Sequence, residues 1–207
     1  MRGEELWLLP QRAIYWATKK TLLVADLHLG KSTYFRQHGL NVPVEILQRD
    51  LDVLELILSQ VVVERLILLG DLFHSTENYE WEIFGEWLQR HSCKVHLIMG
   101  NHDILNADCY SKYNIKVHKQ HLSDPPFVFS HKQVKNVKEG HYVFSGHIHP
   151  AIGMHGKANN SVRVPCFWFG EEQCVLPAFG KFTGNESIRP ITGDKVFAIA
   201  GDMVFGM

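Results

Sequence analysis

The sequence is poor in cysteine: Cys93, Cys109, Cys166 and Cys174 fall at irregular spacings, and no two of them form a CxxC pair. That excludes a zinc ribbon and a disulfide framework, and it makes a reducing cytoplasm the expected setting. Long hydrophobic runs are missing too. None reaches the roughly 18 residues of a membrane span, and the opening stretch MRGEELWLLPQR carries two acids and too short an apolar segment for a secretory leader. Nor is there a surplus of charge: 21 Lys and Arg stand against 22 Asp and Glu. A protein that tracks along nucleic acid carries a larger basic surface, so short or structured substrates, or docking through a partner, are expected. Linkers, low-complexity tracts and internal repeats are absent as well, and residues 1–207 read as a single domain.

What the chain does have is histidine, 13 of them, the commonest ligand for transition metals. It also has a local excess of lysine. Lys112, Lys116, Lys119, Lys132, Lys135 and Lys138 are opposed only by Asp124 over that span. Such a patch suits either a phosphate-rich substrate or a plain solvated face.

The hydrophobic pattern alternates between two periods. LWLLP and AIYWA, around Gln11–Arg12, read as a short antiparallel pair. TLLVAD, ERLILLGD and KVHLIMGNHD are continuous apolar runs of strand length, as expected of strands buried on both faces. Between them, VPVEILQRDLDVLELILSQ places Ile46, Leu47, Leu51, Leu54, Ile57 and Leu58 on one broad helical face, and ENYEWEIFGEWLQRH is amphipathic in the same way. After Asn114 the pattern becomes β-rich, through IKVHK, PFVFSH, HYVFSGHIHP, VRVPCFWF, EQCVLPAF and DKVFAIAGDMVFG. This is an α/β chain whose second half is mostly sheet. Trp7, Trp16 and Trp168 are expected in the core.

Five of the apolar runs end in residues that bind metals. Asp26 and His28 follow LLVA, Asp71 follows LILLG, and Asn101, His102 and Asp103 follow HLIMG. His131 follows FVFS, and His147 and His149 follow YVFSG. Sites in open α/β sheets gather at the carboxyl ends of strands, where loops converge. One such Asp is ordinarily a turn or cap residue. Five strand ends together present ionisable groups that need partners, and a pair of divalent cations would supply them.

DLH at Asp26–His28, GD at Gly70–Asp71, GNHD at Gly100–Asp103, SH at Ser130–His131 and GHIH at Gly146–His149 resemble, in order, the five motifs of the calcineurin-like metallophosphoesterases. The resemblance implies a four-layer αββα sandwich, with two mixed sheets flanked by helices and two metal ions at the strand ends. Carried over by position, Asp26, His28, Asp71 and His149 hold one metal. Asp71 bridges to the second, completed by Asn101, His131 and His147. His102 resembles the family's catalytic histidine, stabilising the phosphoryl oxygens and protonating the leaving oxygen, with Asp103 orienting its ring. In His131–Lys132 the chain departs from relatives that place glycine or histidine after the fourth-motif histidine.

These residue types also make chemical sense without the resemblance. A carboxylate can bridge two cations roughly 3.5–4 Å apart, whose shared hydroxide attacks phosphorus. Oxygen and nitrogen donors without thiolate favour Mn²⁺ and permit Fe, Zn²⁺ or Ni²⁺. The competing motif, a P-loop ending in Gly30-Lys31-Ser32, fails because its first glycine falls on Ala25. GKST is then a turn into the next segment, with Lys31 either at the site or on the surface. His74 is expected near Asp71, and AFGKFTG (Ala178–Gly184) as a rim over the metals or a tight turn. His118, His121, His141 and His155 have no motif support.

DLHLGK, FRQHGLNVP, GDLFHS, ENYEWEIF and LPAFGKFTG together look like the ligase-associated DNA damage response phosphoesterases. That likeness implies a DNA-repair setting with a DNA ligase and a helicase as partners. The reading is a metal-dependent phosphodiesterase, nuclease-like in action. A phosphomonoesterase of the same fold and a non-catalytic scaffold are the alternatives. Oligomeric state cannot be read from the sequence.

Overall fold

The computed structural model describes residues 1–39, 46–74, 76–155 and 161–207; the part of the expected helix VPVEILQRDLDVLELILSQ that precedes Ile46 lies outside them. Strands β1 (Leu6–Leu9) and β2 (Ala13–Trp16) form the expected hairpin around Gln11–Arg12, with Arg12 in the left-handed region at φ 64°. Strand β2 pairs antiparallel with β3 (Thr21–Val24). From there β4 (Arg65–Leu68), β5 (Lys94–Ile98) and β6 (Ile115–His118) add in parallel, giving a six-stranded sheet in sequence order. Parallel neighbours need crossovers, and these are helical. Helices α1 (Lys31–Gln37) and α2 (Ile46–Gln60) link β3 to β4, α3 (Tyr79–Gln89) links β4 to β5, and α4 (Ala107–Lys112) links β5 to β6.

The strands of this sheet alternate between two cores. In β3, Leu22 and Val24 pack with Leu51, Leu54 and Ile57 of α2 and with Trp81, Phe84 and Trp87 of α3. Leu23 and Ala25 point the other way, into a layer that includes Phe127, Phe129, Phe144, Phe167 and Phe169. Continuous apolar runs are the sequence consequence of burial on both faces.

The second sheet has nine strands, running in order through β13 (Glu186–Ser187), β10 (Pro150–His155), β11 (Ser161–Phe169), β12 (Gln173–Val175), β9 (Tyr142–Ser145), β8 (Phe127–Ser130) and β7 (His121–Asp124). Strand β14 (Lys195–Ala200) also pairs with β11, and β15 (Met203–Gly206) with β14. Strands β8, β9 and β12 are parallel, so their carboxyl ends share one edge. Both sheets are mixed, and they sandwich the aromatic-rich layer. The outer face of the second sheet carries a smaller cluster of Cys166, Ile188 and Val196.

Some local expectations change. GKST is no mere turn. Gly30, at φ 82°, caps α1, and a side chain there would run into the ring of Phe73. At seven residues α1 is too short to display helical periodicity, and so is α4. IKVHK belongs to the edge of the first sheet, and HYVFSGHIHP is two strands broken by its own Gly-His-Ile-His turn. Trp16 is fully buried, but Trp7 is 45% exposed, its ring lying 5.4 Å from that of Tyr15. All four cysteines are free. No described helix is long and apolar enough to cross a membrane.

Candidate metal centre

The carboxyl ends of β3, β4, β5, β8 and β9 converge on one edge of the sandwich. Besides His28 with His74 and His102, two groups of side chains meet there within metal-binding reach: Asp26, His28 and His149, and Asp71, His131 and His147. Asp71 lies between them. Its Oδ2 is 3.7 Å from His28 Nε2, and its Oδ1 is 3.5 Å from His131 Nε2. Asn101 follows β5 on the same edge, exposed, beside His102. All seven residues expected to hold metals come from these strand ends, and six of them stand in the two groups.

The donor atoms are posed for cations. His131 Nδ1 donates to the Leu69 carbonyl at 2.9 Å, and His149 Nδ1 to that of Gly184 at 2.9 Å. With the proton held at Nδ1, the Nε2 lone pair of each ring faces the carboxylates, the usual arrangement behind a metal-binding histidine. His131 Nε2 and His147 Nδ1 stand 3.1 Å apart, two nitrogens converging on one point. Asp26 Oδ1, His28 Nε2 and His149 Nε2 are buried without a hydrogen-bond partner. Orphaned polar atoms of this kind are costly, and a cation resolves all three. The residues present therefore fit divalent metal ions.

The backbone is shaped for the same purpose. Asp26, His28, Asp71, His147 and His149 all have positive φ, between 48° and 76°. Residues without glycine's freedom adopt that region at a cost of about 1–3 kcal/mol each, and such strain concentrates where side chains must be aimed. Amides hold the carboxylates. His147 N donates to Asp26 Oδ2 at 2.8 Å, and His102 N to Asp71 Oδ1 at 2.9 Å. A Cβ on Gly146 would strike the Asp26 carboxylate, and one on Gly100 would strike that of Asp71.

Electrostatics follow from burial and crowding. Burial lowers the pKa of His28 to about 3, keeping the ring neutral as a ligand must be. Burial also lowers that of His147, with the charge of Lys132 adding to the effect. For Asp71 burial opposes ionisation, but the His102 amide and the surrounding histidines outweigh it and hold the carboxyl low. For His149 burial is likewise outweighed, here by Asp26, and the pKa rises.

The flanking residues resolve individually. His131 is 4% exposed and faces Asp71, so Lys132 does not displace it. Lys31 is partly buried, and burial lowers its pKa against the opposing pull of Asp71, whose charge it feels. His74 stands among the histidines of the site. Its ring lies 4.2 Å from that of His102, and its Nδ1 is 3.4 Å from that of His28. The segment Ala178–Gly184 does form a rim. Phe179 N and Gly180 N donate to Ala25 O and Asp26 O, and Gly184 supplies the acceptor for His149.

Asp103 differs from expectation. Its carboxylate accepts from Leu72 N (2.9 Å), Phe73 N (3.2 Å) and Gly100 N (2.8 Å), so it ties the loop after β4 to the loop after β5. Among the described residues no hydrogen bond joins it to the His102 ring. That ring instead stands against His28 and His74. Burial raises the pKa of Asp103 to about 6 against the pull of its amides. Buried at a strand end with three amides in reach, a carboxylate satisfies the backbone first.

Strand-end carboxylates and imidazoles in this arrangement define a metal-dependent phosphoesterase. The model of the calcineurin-like phosphoesterases matches residues 19–150, more than half of the chain, and the chain belongs to that family. It is a metal-dependent phosphoric ester hydrolase. Among solved structures it is similar to the nuclease MPE of Pseudomonas putida, at 32% identity and a TM-score of 0.83 over 100% of this chain and 96% of that one. A remote likeness to the E. coli phosphoesterase YfcE has 14% identity and a TM-score of 0.44 over 89% and 90% of the two chains. No curated protein matches significantly.

Proposed function

We infer that the chain is a binuclear phosphodiesterase with nuclease-like action. The observation that carries this reading is Asp71, whose two carboxylate oxygens face the two donor groups separately. Asp26, His28, Asp71 and His149 would hold one ion, and Asp71, Asn101, His131 and His147 the other. Donors of oxygen and nitrogen favour Mn²⁺, with Fe, Zn²⁺ or Ni²⁺ permitted. When bound, such ions would supply Lewis acidity and lower the pKa of a water molecule toward neutrality.

The chain's own residues supply the rest. His102 is exposed beside Asn101, its backbone anchored on Asp71 and its ring on His28 and His74, so its imidazole can deliver a proton to the leaving oxygen. Asp103 positions that loop. Lys31 and Lys132 add positive charge near the site. The likeness to a nuclease over the whole chain favours a nucleic-acid or nucleotide diester. The ligase and helicase partners rest on the motif pattern of the whole sequence, and co-purification of tagged protein from cells tests them.

The experiment is a metal panel on purified protein: Mn²⁺, Mg²⁺, Zn²⁺, Ni²⁺ and none, against bis-p-nitrophenyl phosphate, the monoester, and labelled single-stranded and duplex DNA. Mn²⁺-driven diester cleavage well above monoester cleavage, abolished in Asp71→Asn, is expected. Faster monoester turnover would make the protein a phosphatase. Metal binding without turnover would make it a scaffold.

A further inference from the structure

Beside the metal centre a cavity of ≈ 540 Å³ opens between α1 and the loop after β5. Asn101 and His102 form one wall, and Tyr34, His38, His74 and Ile104 are among the residues that line the rest. Four rings run outward from the site in sequence. His102 and His74 are 4.2 Å apart at 33°, His74 and Tyr34 5.6 Å apart at 75°, and Tyr34 and His38 4.3 Å apart at 37°. His38 is held in place because its Nδ1 donates to the Tyr34 carbonyl at 2.8 Å.

Core packing does not account for these residues. Tyr34 is 36% exposed and Ile104 64% exposed, the latter one residue beyond the His102–Asp103 pair. Exposed apolar side chains grouped around a cavity mark a surface that something covers. Among the described residues no carboxylate lines it. The occupant must be flat, apolar on its faces and hydrogen-bonding at its edge, and it must be joined to a phosphate that reaches His102. A nucleobase has this chemistry, and aromatic side chains stack on bases whatever their sequence.

Resting on the phosphodiesterase reading, we propose that this cavity is a nucleobase subsite: the base of the nucleotide next to the scissile phosphate lies against Tyr34 and Ile104. The enzyme thereby prefers nucleotide diesters over simple alkyl diesters.

The test uses full-length, Mn²⁺-loaded protein in two arms. The first measures binding of thymidine 5′-monophosphate and of inorganic phosphate by calorimetry. The second compares kcat/KM for thymidine 5′-(p-nitrophenyl phosphate) and ethyl p-nitrophenyl phosphate. Wild type should favour the thymidine compound in both arms by roughly tenfold or more, the range of base–aromatic stacking. Tyr34→Ala and Ile104→Ala should shrink that ratio through KM, whereas Tyr34→Phe should keep it. Ile104 is exposed enough that its truncation does not threaten folding. Equal binding of monophosphate and phosphate, or parallel losses on both diesters in the alanine variants, overturns the subsite. If neither diester is cleaved but monophosphate binding still depends on Tyr34 and Ile104, the subsite stands and the hydrolytic reading fails.

Discussion

In the proposed reaction, Asp71 and His102 divide the work that the strand ends make possible. Asp71 faces both donor groups, so its replacement by asparagine should remove the metal-dependent activity and weaken metal binding. The His102 amide is anchored on Asp71, while its ring, exposed against His28 and His74, is placed for proton transfer. His102→Ala should therefore lower kcat by about 10²- to 10⁴-fold, the usual contribution of a general acid. Calorimetric metal affinity should stay near the wild-type value. A loss of metal binding of the same size would instead make His102 a ligand, which its place beside His28 and His74 also permits chemically. Gly146→Ala is a sharper local probe. The added methyl collides with Asp26 in a backbone that already strains to aim that carboxylate, so metal affinity should fall although no ligand is lost.

Among the elements, α2 carries a charged residue that the site does not use. Asp50 lies on its buried face, 3% exposed, with Lys181 N at 3.4 Å and the charges of Arg12 and Lys181 nearby. Burial outweighs these partners and pushes the carboxyl up to about 6. An acid whose folded pKa lies above its unfolded value binds the extra proton in the native state. Its contribution is thus complete below about pH 4 and lost as pH rises through about 6. The loss is on the order of 3 kcal/mol at most. In the presence of chelator, thermal melts of Asp50→Asn between pH 4 and 8 should lose part of the wild-type decline. A slope identical to wild type would remove Asp50 as its source. The loops after β4 and β5 depend likewise on Asp103. Asp103→Ala leaves three amides unpaired, each worth about 1 kcal/mol or more when buried, and should lower Tm as well as activity. Asp103→Asn, which keeps an acceptor oxygen, should recover part of the loss.

For the molecule as a whole, two sheets packed on one aromatic layer bring their strand ends together, so metal binding is coupled to the native sandwich. Ions that bind only the folded state stabilise it by about 2.7 kcal/mol at a hundredfold excess over Kd. Tm should rise with Mn²⁺ concentration in wild type and stay flat in a variant combining Asp26→Asn with Asp71→Asn. A rise that persists in this variant would place the stabilising ion elsewhere.

The chemistry of the centre was legible in the chain because buried parallel strands have no room for polar groups except at their ends. There Asp26, Asp71, Asn101, His131, His147 and His149 stand out against apolar runs. The double burial of β3 to β5 could be read for the same reason, from residues that never alternate with polar ones. The short helices α1 and α4 could not, since one or two turns display no period. The partners of Asp103 could not be read from the chain, because a motif records identity and not hydrogen bonds. Only the fold decides that its carboxylate meets amides 30 and 31 residues away. The same holds for His147 on Asp26, 121 residues apart, and for the carbonyl of Gly184 behind His149. Tyr34, His38 and Ile104 carry no pattern in sequence at all. Tyr34 and His38 belong to the first helix and its C-cap and Ile104 to the loop after β5, and their shared cavity exists because that loop comes to rest beside the helix.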